Sequence, residues 1–287
     1  MSLYQKAIIK TLAYSSVFKY PLRLGELWRY LIWETKKPVR YKQFIETVET
    51  LINSKKIYRI NSLHLLINKK SWIVTYNKEK KEAVQKLGIA KRTAFLLTYI
   101  PTIELVGLSG KLALSVADKK DDIDLFIVTK KGSLWLTRIL ILLLLSFIGL
   151  KREPGGKETK NKICVNMFAD TTRLTIPKQE QDLFSAHEVC QLIPLVSKNN
   201  TYEKFLSSNL WVKKYLPNSF TSNSKKQTIK KQATYSLFEK LAYILQKWYM
   251  RNKKTNEKIS PSYVRFHPHD ARDWVLKDYQ NNLKLNI

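Results

Sequence analysis

The chain has 287 residues, 44% of them hydrophobic, and its eight glycines and nine prolines are too few for a low-complexity or wholly disordered protein. A net charge of +28 favours polyanionic partners such as nucleic acid, nucleoside triphosphates or an anionic membrane, although a dispersed lysine-rich composition explains it equally well. The two cysteines, Cys164 and Cys190, lack CxxC spacing, which excludes a zinc finger and indicates reduced thiols in a cytoplasmic protein.

The first 75 residues predict a winged-helix-like module. Three apolar stripes predict helices, and two β-prone runs predict a hairpin. In chain order these segments are Ile8–Leu12, Leu24–Ile32, Phe44–Ile52, Lys56–Ile60 and Leu63–Ile67. Basic residues of the third helix and the hairpin suit phosphate contact, namely Arg40, Lys42, Lys55, Lys56, Arg59, Lys69 and Lys70. Packing of the module on its neighbour, or on another protein, is the alternative to DNA contact.

Residues 76–200 predict a domain in which strands alternate with helices. The expected strands are Ile103–Leu108, Ile123–Val128 and Ile163–Ala169, and the expected helices are Lys78–Tyr99, Lys111–Val116 and Gly132–Leu150. In the last helix, the run from Ile139 to Leu150 is too short to cross a bilayer of about 30 Å, so we expect no membrane span. Residues 201–287 predict a helical C-terminal part, and the fold class is therefore α/β to α+β with a small mixed sheet.

The informative motif is Asp122-Ile123-Asp124 at the start of an apolar strand. Strand alternation points both carboxylates to one face. Two adjacent carboxylates repel each other unless a cation neutralises them, and Mg²⁺ or Mn²⁺ suits such hard oxygen ligands. A second cluster, His267, His269 and Asp270, is a weaker candidate for a metal site, and helix capping is its simpler interpretation.

A glycine turn lies 12 residues before Asp122. Gly110 and Lys111 stand between an apolar strand and a short helix. A glycine at this point lets the backbone approach a phosphate closely. The N–H groups of the first helical turn have no acceptor within the helix, so they can donate to that phosphate.

Strand, glycine turn, short helix and DxD strand together resemble the DNA polymerase β-type nucleotidyltransferase superfamily, over residues 103–170. The resemblance implies that Asp122 and Asp124 bind metal and that Gly110 with its helix binds the nucleoside triphosphate. It further implies transfer of a nucleoside monophosphate to a hydroxyl on a small molecule, a protein side chain or an RNA end.

Two positions depart from the superfamily pattern. Lys111 stands where serine is usual, and Ser109 is a candidate to replace its hydroxyl. Asn166 stands at the expected position of the third carboxylate; its amide oxygen can bind a cation but cannot act as a base. Asp170, four residues later, would reach the site only if the chain bends. The alternative function is therefore a catalytically silent domain that binds nucleotide or DNA as a regulator.

Overall fold

The computed structural model describes residues 1–35, 37–153, 156, 158–220, 236–250, 258–265 and 271–286. The helices are α1 (Leu3–Val17), α2 (Leu24–Arg29), α3 (Tyr41–Asn53), α4 (Lys70–Leu97), α5 (Gly110–Ala113), α6 (Leu134–Phe147), α7 (Leu183–Gln191), α8 (Thr201–Ser208), α9 (Leu237–Met250) and α10 (Ala271–Asn286). The strands are β1 (Leu22–Arg23), β2 (Tyr58–Ile60), β3 (Leu63–Leu65), β4 (Ile103–Leu108), β5 (Ile123–Thr129), β6 (Ile163–Asp170), β7 (Ile193–Ser197), β8 (Lys258–Ser260) and β9 (Tyr263–Arg265).

The N-terminal module has the three helices and the hairpin expected from the sequence. Its strands form an antiparallel sheet in the order β1-β3-β2. Helix α3 buries Phe44, Val48 and Leu51, which recur at helical spacing on one face. Asn61, in the turn between β2 and β3, has φ +55°, a left-handed conformation that asparagine tolerates well. Local patterning therefore accounts for this part of the fold.

The central sheet is mixed, as expected, but it has six strands in the order β7-β4-β5-β6-β9-β8. Strands β5 and β6 are parallel, and the other neighbours are antiparallel. Residues 201–287, expected to be helical, contain α8, α9 and α10, and also the hairpin β8–β9, which the sequence did not indicate. Edge strand β7 and the hairpin β8–β9 are short segments whose backbone groups find partners only in the assembled sheet.

The two faces of the sheet contribute to two hydrophobic cores. One face packs against α4, α6 and α9. The other packs against the N-terminal module and against α7, α8 and α10, so that Tyr14, Phe126 and Tyr279 belong to one continuous core. The regions 1–75, 76–200 and 201–287 that the sequence suggested are therefore joined by shared packing.

Helix α6 begins at Leu134 and ends at Phe147, and it packs against the sheet through Trp135, Ile141 and Leu145. No helix in the described ranges has both the length and the apolar composition needed to cross a bilayer.

Candidate active site

The two acids of the DxD motif project together, as the alternation of β5 predicts. Ligand atoms of Asp122, Asp124 and Cys164 all lie within 4.8 Å of one another. Cys164 joins them because β6 runs parallel to β5 and places it directly beside Asp124. Sequence analysis did not assign Cys164 to the site, although its position two residues before Asn166 on the same strand face was a usable signal.

The glycine turn packs directly against the carboxylate of Asp124. Gly110 has φ +65°, and a β-carbon built on it would lie 2.7 Å from Asp124 Oδ2. The backbone N–H of Ser109 donates to the Asp124 carbonyl oxygen at 3.0 Å. A glycine is thus required here both by its backbone conformation and by the space that the carboxylate occupies.

Lys111 lies at the rim of the site and is paired with acids. Its ammonium donates to Glu79 Oε1 at 2.5 Å and lies 3.6 Å from Asp121 Oδ2. Contact with a phosphate would require the ammonium to leave Glu79, so that contact stays a prediction.

Asn166 lies beside the acids because the strand bulges at this residue. In the parallel register Leu125 faces Val165 and Phe126 faces Met167, so Asn166 is the extra residue of the bulge. Its Nδ2 donates to Asp124 Oδ1 at 2.8 Å. Asn166 therefore lies beside the Asp122–Asp124 pair, as expected.

Asp170 serves another purpose. It is fully buried and accepts hydrogen bonds from the backbone N–H groups of Gly132 and Thr172. It holds the end of β6 and the start of the α6 segment, and it does not supply a third carboxylate to the site.

Burial and the crowding of acidic groups raise the pKa values of two side chains in the site. Burial, with the nearby charges of Asp122 and Glu188, raises the pKa of Asp124 to about 7. Burial and the same two aspartates raise the pKa of the Cys164 thiol to about 12, so the thiol is protonated at neutral pH. Arg152 forms an ion pair with Asp122 and approaches Cys164 Sγ at 3.5 Å. The Arg152 guanidinium therefore supplies positive charge to the carboxylates.

A buried lysine supports the loop that leads into β5. Lys86 of α4 is 1% exposed, and its ammonium donates to the carbonyl oxygens of Lys119 and Asp121 and to Asn161 Oδ1. Burial lowers its pKa from the ordinary value. Because this contact joins residues far apart in the chain, the sequence offered no signal for it.

A cavity of about 570 Å³ opens over the site. Its floor includes Ser109, Gly110, Lys111, Asp124 and Asn166. Its walls come from the N-terminal module, from α7 and from α10, and include the aromatic side chains of Tyr14, Phe18, Tyr20 and Trp274. The residues predicted to bind the triphosphate therefore line a large, mostly apolar cavity, as is usual for small-molecule sites.

Basic residues of the winged-helix-like module are exposed, as phosphate contact would require. Arg40, Lys42, Lys55, Lys56 and Arg59 all face solvent, and Arg59 pairs with Glu49 of α3. The module also packs on its neighbour through the core described above, and DNA contact stays a prediction. The weaker metal candidate, His267, His269 and Asp270, lies outside the described residues.

Comparison of the chain with protein-family models, with curated proteins and with solved structures finds no match. The interpretation of the site therefore rests on the residues and distances given above.

Proposed function

We propose that this protein is a metal-dependent nucleotidyltransferase that moves a nucleoside monophosphate from a nucleoside triphosphate to an acceptor hydroxyl and releases pyrophosphate. One observation carries the proposal: the carboxylates of Asp122 and Asp124 converge, and Asp124 lies against the Gly110 turn and lines a large cavity.

The donor atoms fit a divalent cation. Asp122 and Asp124 offer hard carboxylate oxygens, which Mg²⁺ and Mn²⁺ prefer, whereas the protonated Cys164 thiol is a poor ligand for either. A bound cation would supply positive charge to the triphosphate and to the leaving pyrophosphate. The raised pKa of Asp124 also fits, because two crowded carboxylates gain most from such a neighbour.

Residues of the chain would position the triphosphate. The start of α5 lies beside the site, since Gly110 packs against Asp124, and its backbone N–H groups would donate to a phosphate there. Arg152 forms an ion pair with Asp122; a cation held by Asp122 and Asp124 would compete for that carboxylate and leave the Arg152 guanidinium able to contact a phosphate. Lys111 could also contact a phosphate if its ammonium group left Glu79.

Group transfer breaks the bond between the α-phosphorus and the bridging oxygen of pyrophosphate and forms a bond to the acceptor oxygen. The acceptor loses its proton, and Asn166 cannot take it. Glu188 of α7 lines the same cavity, and its charge contributes to the raised pKa of Asp124. Glu188 is therefore the carboxylate that we assign as proton acceptor.

Isothermal titration with each of the four nucleoside triphosphates, with and without Mg²⁺, tests the proposal. We expect Mg²⁺ to raise affinity for at least one triphosphate, and the double variant Asp122→Asn, Asp124→Asn to abolish that gain. Asp278→Asn, on the exposed side of α10, is the matched control. Equal affinities with and without Mg²⁺ would contradict the proposal.

A second function is favoured by Asn166 itself. With an amide where the superfamily has a carboxylate, the domain could bind a triphosphate without catalysing transfer, as part of a nucleotide- or DNA-binding regulator. Such a regulator would bind duplex DNA with a steep salt dependence, and this binding would survive substitution of Asp122 and Asp124.

A further inference from the structure

The exposed surface of α6 and α9 is unusually apolar. On α6, the outward side chains are Leu136, Leu140, Leu143 and Phe147, and the last two are 62% and 90% exposed. At about 100° per residue these four positions fall within a single narrow stripe of the helix. They lie on the face opposite the buried Leu134 and Leu145.

Helix α9 repeats this arrangement and packs against α6. Its exposed apolar side chains include Leu237, Phe238, Leu241, Ile244, Leu245 and Trp248, which span an arc of about 120° at the same helical spacing. Gln246 donates to the carbonyl oxygen of Trp135, and Glu239 accepts from the first N–H groups of α6. The two apolar stripes therefore belong to neighbouring, joined helices. We call them the α6–α9 face.

Charge on the α6–α9 face has one sign. Lys240 and Lys247 are exposed along one edge of the α9 arc. The one acid of α9, Glu239, is buried at the start of α6, and α6 contains no acid.

We propose that the α6–α9 face binds the surface of an anionic lipid bilayer. Large aliphatic side chains with a tryptophan, bordered by lysines and lacking exposed acids, have the composition of helices that lie in a membrane interface. Lysines near the bilayer surface gain from negative headgroups. A second copy of the chain is a poorer occupant, because each copy carries +28 and the face offers no exposed carboxylate to pair with the partner's lysines.

The proposal places the helices on the membrane rather than across it, in agreement with the short length of α6 and α9. The cavity over Asp124 opens on the other face of the sheet, toward the N-terminal module. Lipid binding and nucleotidyl transfer therefore use separate surfaces, and either can fail without the other.

Co-sedimentation of the full chain with vesicles tests the proposal. We expect binding to mixed phosphatidylserine–phosphatidylcholine vesicles, weaker binding to phosphatidylcholine alone, and loss of affinity as salt is added. Combining Leu143→Ser, Phe147→Ser, Leu241→Ser and Trp248→Ser should lower the affinity about tenfold or more. These side chains are exposed, so folding should be retained, which circular dichroism would check.

A control variant carries Tyr41→Ser and Leu285→Ser, which remove equally exposed apolar side chains elsewhere. Lys240→Glu with Lys247→Glu should weaken binding to the acidic vesicles while leaving phosphatidylcholine binding unchanged. Equal losses in the control variant, or no binding of the wild type to acidic vesicles, would overturn the proposal. A wild-type dimer in analytical ultracentrifugation that the four-residue variant converts to monomer would also overturn it, and would assign the α6–α9 face to a second copy.

Discussion

Gly110 and Asp124 are in such close contact that a methyl group on Gly110 would lie 2.7 Å from the carboxylate oxygen Oδ2. The turn before α5 and the strand that carries Asp124 are therefore packed directly against each other. Gly110→Ala should therefore move the Asp124 carboxylate and place alanine at φ +65°, at a cost of about 1–3 kcal/mol. We expect reduced stability together with at least tenfold weaker Mg²⁺-dependent triphosphate binding, measured by denaturant unfolding and titration calorimetry.

Gly88 provides the control for that substitution. It lies within α4, and a β-carbon there would meet nothing within 4 Å. Gly88→Ala should stabilise the protein by about 0.5–1 kcal/mol and leave triphosphate binding unchanged. Unaltered binding in Gly110→Ala would show that the turn does not position the acid.

The raised pKa of Asp124 makes the metal-free protein less stable as pH rises. A folded-state pKa of about 7, above the ordinary value of 3.8, means that the contribution to stability is fully present below pH 3.8 and is lost as pH rises from 3.8 through 7. Asp124→Asn should therefore raise the free energy of unfolding by about 1–3 kcal/mol near pH 8 and by a smaller amount near pH 5. Urea unfolding in the presence of a chelator measures both values.

When Mg²⁺ is present, the stability of the protein should instead rise with pH, because the ion binds the ionised carboxylate of Asp124. Since Mg²⁺ competes with a proton for Asp124, its affinity for the wild type should fall as pH drops below about 7. A pH-independent affinity for Mg²⁺ would argue that Asp124 is not a ligand.

The substitution Asn166→Asp tests whether the site needs a third carboxylate for catalysis. Asn166 now donates to Asp124, and an aspartate would instead add a third negative charge beside the pair. We expect about 1–2 kcal/mol lower stability without metal and tighter Mg²⁺ binding. Transferase activity that appears only in this variant, and not in the exposed control Asn68→Asp, would identify the natural chain as the silent, triphosphate-binding form.

Lys86→Met should loosen the loop before β5. The substitution keeps an unbranched side chain but removes the donors to the Lys119 and Asp121 carbonyl oxygens and to Asn161. We expect about 2–4 kcal/mol lower stability and weaker Mg²⁺ binding through misplacement of Asp122. Lys91→Met, exposed on the same helix, is the control. If the variant binds metal as the wild type does, Lys86 contributes to stability but not to metal binding.

His187 should contribute to loss of stability in acid. It is buried against the ring of Tyr14 at 3.9 Å between ring centres, and burial lowers its pKa to about 4. Stability tied to the neutral ring is present above pH 6.5 and is lost as pH falls toward 4. Between pH 7 and 4 the wild type should therefore lose up to about 3 kcal/mol more than His187→Phe, a difference that urea unfolding at each pH measures.

Local signals in the sequence were sufficient for the N-terminal helices and hairpin, the three central strands, and the shared direction of Asp122 and Asp124. Each depends on helical or strand periodicity within a few residues, which the chain carries wherever it folds. The same alternation placed Asn166 on the correct strand and face. Its position as the extra residue of a bulge depends on the register between β5 and β6, which no single strand encodes.

Other parts of the site required the assembled molecule. Arg152, Cys164, Lys86 and Glu188 reach the Asp122–Asp124 pair or its loop from four different elements or segments, and their approach depends on packing between residues far apart in the chain. The short strands β7, β8 and β9 likewise became strands only because the central sheet offered them unpaired edges. The sequence by itself determined which acids face the same way, since that is a property of one strand. Only the tertiary structure decided what surrounds them, because burial, charge proximity and the cavity arise from contacts between distant segments.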